Sequence, residues 1–417
     1  MAEFDILIED AYLPDHGGIR DIGIKNGEIT ALDAAIDGAG EREFEADGSL
    51  VFPGFVDAHI HLDQALTAVG ERTPKFNDEP FDKQRNIERT VEYFQQVDQE
   101  TITAEAIEAG RMAAANGTVH LRAHTYIDDT VGTKAVEAVA AAREALADVI
   151  DVEIVVFPQR GFLRSAEIRA IAREALAGPA DLLGGIDPAS VNADIERTID
   201  AWFDLATAMD VDLDVHLHDG GSLGQYTLDR LAERALEVGY VSRVTASHSF
   251  ALADIAIEAG DPRRRNAGYA ATLDALEAAD IRIATCYPST PPGMPVATLQ
   301  DRDISVGHGS DELRDLWVAH GNANPIEAGL VQSLKLDRSY QYASNSGLAR
   351  IWELLTDGAA AVLGLDEYGI SVGSPATLAI IDAASPQWAI IEQCTPEVVI
   401  KRGRVTVEDG TLGEEGR

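Results

Sequence analysis

Apolar and polar residues alternate with a period of two at both ends of this chain and follow a longer period in between. At the start, FDILIEDAYL (4–13) and IRDIGIKNGEITAL (19–32) read as strands joined by short turns. Asn26-Gly27 is an Asn-Gly pair between alternating segments, a hairpin signal. At the far end, LAIIDA (378–383), WAIIEQC (388–394) and VVIKRGRVTVEDG (398–410) read as short strands, with Arg402-Gly403 at a tight turn. The two β-rich ends are expected to pair into one small β-sandwich domain, because the termini of a domain often lie close together.

The middle alternates strand and helix. Eight apolar runs read as strands: 56–63, 119–124, 152–159, 182–187, 212–219, 243–249, 281–288 and 304–311. Helical segments such as ITAEAIEAGRMAAANG (102–117) and TLDRLAERALEVGY (227–240) separate them, several closing on a glycine. No GxGxxG follows the first of these strands, which argues against a doubly wound dinucleotide fold. Eight βα units predict a (β/α)8 barrel at 53–368, flanked by the sandwich segments 1–52 and 369–417.

Composition adds bounds. The apolar share of 46% suits a sizeable core, and two cysteines far apart, Cys286 and Cys394, suit a reducing cytoplasm. The first residues lack a basic stretch followed by an apolar one, so no signal peptide is expected. No apolar run is long enough to span a bilayer. Asp plus Glu number 71 against 33 Lys plus Arg, a net charge of -38, which disfavours nucleic acid and anionic membrane as partners. The acids are spread through periodic segments, so they do not mark a disordered tail. Only six lysines occur: Lys25, Lys75, Lys83, Lys134, Lys335 and Lys401. In molar salt the Debye length falls to about 3 Å or less and self-repulsion is screened. The composition therefore reads as adaptation to a salt-rich cytoplasm.

The chemistry gathers where a barrel would use it. In HIHLD (59–63), His59 and His61 are two apart, so a strand points both imidazoles the same way. Taken alone, such a pair is more often two packed histidines than two metal ligands. The other strands change the balance. Gln159 ends the third, Asp187 the fourth, His216, His218 and Asp219 the fifth, His248 the sixth and Asp311 the eighth. Barrel enzymes carry their function at the C-terminal ends of strands. Imidazoles on three strands with a carboxylate on another point to a metal centre.

This constellation resembles the amidohydrolase superfamily, and within it the cytosine deaminase branch. The resemblance rests on HIHLD, FPQRG (157–161), DVHLHD (214–219), TASH (245–248) and DELRDLW (311–317). GERTPKF (70–76), GGIDPA (184–189), TCYPSTPPGMP (285–295) and SPQWAIIEQ (385–393) are similar to segments of the N-isopropylammelide isopropylaminohydrolases. The resemblance spans nearly the whole chain. It implies one divalent metal ion, zinc ahead of iron, held by His59, His61, His216 and Asp311. Such an ion lowers the pKa of a bound water toward ~7, so that hydroxide can attack a ring carbon bearing an amino or alkylamino group. Asp311 and His248 are then catalytic, with Asp219 or His218 as the proton shuttle. Gln159, Asp187, Trp317 and Gln64 are expected to contact a small heterocyclic substrate. His120, His124 and His320 are read as barrel packing or rim residues. The protein is expected to be a homo-oligomer.

Three observations bound this reading. No lysine lies between Lys134 and Lys335, so the carboxylated lysine of binuclear relatives is missing. That disfavours a ring-opening amidohydrolase, although Asp187 remains a conceivable bridge. All four ligand positions are intact, which disfavours a metal-free scaffold. Gln64 stands where the isopropylammelide enzymes are expected to carry lysine, and a neutral amide makes a hydrogen bond only about half as strong as a cation does. The substrate is therefore an amino-substituted triazine or another ring such as cytosine.

Overall fold

The computed structural model describes residues 2–70, 82–260, 268–336 and 342–413. Strands β1 (Phe4–Leu13), β2 (Gly18–Lys25), β3 (Glu28–Asp33), β4 (Gly40–Glu45) and β5 (Leu50–Phe52) come first. Next are β6 (Phe55–Ile60), β7 (Thr118–Tyr126), β8 (Asp151–Phe157), β9 (Leu182–Ile186), β10 (Leu213–His216), β11 (Val244–Ser247), β12 (Arg282–Cys286) and β13 (Val306–Gly309), with helices between them. They form an eight-stranded sheet ordered β13 to β6 whose neighbouring strands are all parallel. The chain returns in β14 (Leu378–Ile381), β15 (Val398–Lys401), β16 (Arg404–Glu408) and β17 (Thr411–Leu412).

The eight parallel strands close into a barrel just past their hydrogen-bonded ends. Ile60 bridges Asp311, the His61 amide donates to the Asp311 carbonyl at 2.8 Å, and the Asp311 amide donates to the His59 carbonyl at 2.7 Å. Helices around the barrel start on the residues expected of helix caps. Asp98 accepts from the Thr101 amide, Ser165 from Ile168 and Asp194 from Arg197. The helix Gly221–Val238 stops at Gly239, whose φ of +71° suits glycine. Among the described residues, no helix is long and apolar enough to cross a membrane.

The two ends of the chain join through β5 and β14, which pair antiparallel (Ala379 with Phe52, Ile381 with Leu50). Together the terminal strands form one nine-stranded sheet with its own core of Ile6, Ile8, Ile22, Ile24, Leu378 and Ile400. Two of its hairpin tips, Asn26-Gly27 and Arg402-Gly403, lie at positive φ throughout, and they pack against each other. A Cβ on Gly403 would stand 2.7 Å from the Gly27 Cα, so the contact requires glycine. One expectation fails here: WAIIEQC is not a strand. Ser385 caps a helix Pro386–Glu392 by accepting from the Trp388 amide, and Pro386 takes the first helical position. The Ser-Pro start signal outweighs the period of a run too short to separate helix from strand.

Candidate active site

At the C-terminal end of the barrel, buried imidazoles converge on one carboxylate. Because β6 alternates faces, His59 and His61 both enter the interior, and both are buried. The Asp311 Oδ1 stands 3.5 Å from His59 Nε2, 3.9 Å from His61 Nε2 and 3.7 Å from His248 Nε2. His61 Nε2 and His216 Nε2 are 3.2 Å apart. Asp311 and His248 hold φ of +63° and +66°. Such values cost non-glycine residues energy and cluster at sites whose geometry matters more than local strain.

The electrostatics fit a cation. Burial, and then the neighbouring imidazoles, push His59, His61, His216 and His248 well below the usual histidine range, so all four are neutral near pH 7. Burial raises the Asp311 carboxyl to about 7. His59 Nε2 and His248 Nε2 are buried with no hydrogen-bond partner. Orphaned ring nitrogens beside a carboxylate are a costly arrangement that a bound cation satisfies. With metal–nitrogen bonds of about 2.0–2.1 Å, two ligand atoms of one tetrahedral ion stand roughly 3.3 Å apart. The His61–His216 spacing and the His59–Asp311 spacing of 3.5 Å match that edge. The His61–Asp311 edge of 3.9 Å is longer, and His59 and Asp311 also lie within 4.8 Å of His248 and Cys286, so the cluster offers more donors to a cation than one tetrahedral ion uses.

Supporting groups lock the cluster. His61 Nδ1 lies 3.1 Å from the His124 carbonyl, so it donates there and leaves Nε2 bare. Ser289 donates to Asp311 Oδ2 at 2.9 Å, and His248 Nδ1 lies 3.2 Å from the same hydroxyl. The one hydroxyl hydrogen goes to the carboxylate, so His248 Nδ1–H donates to Ser289 and His248 Nε2 is an acceptor. His124, expected as a packing residue, stacks its ring on His59 with centroids 3.8 Å apart.

The two neighbouring acids, Asp219 and Asp187, are placed as follows. Asp219, three residues after His216, does not reach the cluster: its carboxylate accepts from the Ser190 amide at 3.3 Å. Being of opposite strand phase to His216, it turns outward as β10 ends at that histidine. His218, in phase with His216, turns inward, with its ring 4.2 Å from that of His248. Asp187 is fully buried and offers no free edge to a substrate. Its Oδ2 accepts from His218 Nδ1 at 2.9 Å and Lys83 Nζ at 2.5 Å, and its Oδ1 accepts from the amides of His218 and Asp219. Against burial, His218 and then Lys83 hold its carboxyl well below the ordinary range. Bound in this way, Asp187 is not a metal bridge.

The remaining expected contacts differ in placement. Gln159 is buried with an unpartnered Oε1. Gln64 is buried too; its amide donates to Glu312 Oε2 at 3.2 Å, while its Oε1 has no partner. The Trp317 indole donates to Thr90 on the helix Lys83–Gln96, so it ties that helix to the barrel mouth. Sequence reasoning missed Lys83, Ser289 and Glu312. Glu312 is next to Asp311 and forms with His61 and Asp311 a buried group whose ligand atoms lie within 4.8 Å of one another. Lys83 was visible only as one of six lysines. Of the segments carrying the resemblance, GERTPKF lies outside the described residues from residue 71 onward.

Comparison with known proteins agrees with this geometry. The amidohydrolase family model matches residues 50–406. The chain is 39% identical over 411 residues, 98% of its own length and 99% of the relative's, to an N-isopropylammelide isopropyl amidohydrolase of Pseudomonas sp. (strain ADP). Two solved structures superpose over nearly all of both chains at 27% identity. One is the N-isopropylammelide isopropylaminohydrolase of Burkholderia multivorans, with a TM-score of 0.85 covering 98% of this chain and 99% of that one. The other is the 5-methylcytosine deaminase of Klebsiella pneumoniae, with a TM-score of 0.84 covering 96% and 97%.

Proposed function

We propose, for a chain that belongs to the amidohydrolase family and is a hydrolase of carbon–nitrogen bonds, that it displaces an amino or alkylamino group from a nitrogen heterocycle. The observation that carries this reading is the pair His218–Asp187 beside the buried cluster of imidazoles and Asp311. One side of the site activates water, and the other sets an imidazole, oriented by a carboxylate, where a departing amine needs a proton relay.

His59, His61, His216 and Asp311 would hold the ion, zinc ahead of iron. A divalent ion there supplies the Lewis acidity that makes hydroxide available at neutral pH. His248 Nε2, a neutral acceptor, takes a hydrogen bond from the attacking water and aims its lone pair at the ring carbon. Asp311, beside that water, takes the proton the water loses. Asp187 fixes His218 with its hydrogen on Nδ1 and leaves Nε2 to carry a proton to the amine nitrogen. One hydrogen of the water passes by way of Asp311 and His218 Nε2 to the departing nitrogen and the other stays on the product, so carbon–oxygen bond formation and carbon–nitrogen cleavage balance as oxo (hydroxy) ring plus free amine. Asp219 has no part in this scheme.

For the ring, an alkylamino triazine such as N-isopropylammelide is the first reading, on the 39% identity. An aminopyrimidine is the second. It rests on the likeness to the 5-methylcytosine deaminase, and the unpartnered Oε1 of Gln64, whose NH2 is held by Glu312, would accept an N–H from either ring. The deciding experiment supplies zinc and assays amine or ammonia release from amino-triazines and amino-pyrimidines in molar KCl. Release from one of them, abolished by chelator, supports the proposal. Ring-opened acid without amine, or less than a few tenths of a metal per chain, overturns it.

A further inference from the structure

Beneath the imidazoles lies a second buried layer that the scheme above does not use. His59 Nδ1 stands 2.9 Å from Ser247 Oγ. Ser247 Oγ donates to Asp214 Oδ1 at 2.6 Å, and Arg122 donates to Asp214 Oδ2 at 3.1 Å. Arg122 also binds Glu153 at 2.8 Å and Thr245 at 3.2 Å. His59, Ser247 and Asp214 are fully buried, and Arg122 nearly so.

The strand register builds this layer. Asp214 and His216 are two apart on β10, Thr245 and Ser247 two apart on β11, and Arg122 and His124 two apart on β7. In each strand the pair shares a face. β10 and β11 pair with His216 opposite Ser247 and Asp214 opposite Thr245. Ser247, level with His216, thus reaches down to Asp214, one step below it, and so links the two layers.

We propose that Arg122, Asp214 and Ser247 form a one-way relay that fixes His59 in the tautomer a metal ion requires. This rests on the reading of His59 as a ligand. Arg122 only donates, and a carboxylate only accepts. The hydrogen of Ser247 must therefore point to Asp214, and the lone pairs of Ser247 face His59. His59 is then protonated on Nδ1 and bare on Nε2, the atom that stands 3.5 Å from Asp311 Oδ1. Histidine ligands commonly donate their second nitrogen directly to a carboxylate; here a hydroxyl stands between them. The stacked His124, with Nε2 3.6 Å from Asp214 Oδ1, holds the His59 ring in plane. The three residues are positioning residues and touch no substrate.

The test measures zinc affinity by chelator competition in the wild type, Ser247→Ala and Asp214→Asn, with 15N imidazole spectra of metal-free protein. Ser247→Ala should weaken zinc binding about 10–100-fold. Asp214→Asn should weaken it at least as much. Arg122 keeps the amide oxygen, so the new NH2 faces Ser247 and reverses the relay, placing the His59 proton on Nε2. Metal-free wild type should show His59 protonated on Nδ1. Zinc affinities within twofold of wild type in both variants overturn the relay, as does a wild-type His59 protonated on Nε2. If Asp214→Asn does not fold, Ser247→Ala and the wild-type spectrum decide alone. A wild type that binds no zinc removes the metal reading itself, and the relay with it; a wild type that binds zinc beside variants that match it removes only the relay.

Discussion

The backbone amide of Asp311 donates to the carbonyl of His59 at 2.7 Å, so the seam that closes the barrel also joins two of the residues offered as metal ligands. The end of β6 supplies His59 and His61, and the segment after β13 supplies Asp311. Any change that loosens this closure loosens the centre with it.

Removing a ligand and removing a proton acceptor should separate cleanly. His216→Ala is expected to abolish both metal content and turnover. His248→Ala should keep the metal and lose about 10²-fold or more in rate, the scale of a lost acid–base contact. Metal analysis beside kcat checks both. An empty site in His248→Ala would make that residue a ligand.

The proton shuttle should be His218 and not Asp219. His218→Gln is expected to lower kcat roughly 10²–10⁴-fold with metal content intact. Asp219→Asn, whose side chain binds the Ser190 amide, should stay within a few-fold of wild type. Full activity in His218→Gln with loss in Asp219→Asn would reverse the assignment.

Metal affinity should depend on pH through Asp311. Without an ion its carboxyl is raised to about 7, so below that pH binding must expel a proton. Affinity should fall about tenfold for each pH unit below 7 and level off above it. Chelator competition between pH 5.5 and 8.5 measures the slope. A flat profile would mean that Asp311 is not displaced from its proton.

Salt should stabilise the fold. A net charge of -38 gives self-repulsion that ions screen. The thermal midpoint is expected to climb as KCl rises from tens of millimolar to molar. A flat or falling midpoint would remove the reading of the composition as salt adaptation.

What the sequence by itself determined is what local period controls. Alternation put His59 with His61, and His216 with His218, on one face of their strands, and the eight βα units placed these residues at the active end of a barrel. Asn26-Gly27 and Arg402-Gly403 marked their hairpins because few residues accept positive φ. What lies across the barrel is set by closure and register, which no local pattern encodes. The tertiary structure alone brought Lys83 to Asp187 over 104 positions, stacked His124 on His59, and set Ser247 between His59 and Asp214. It also placed His218 and Asp219 differently, neighbours that the chain offers equally. The carboxylate of Asp187, held from a different strand, captures the imidazole, and the end of β10 turns the aspartate away.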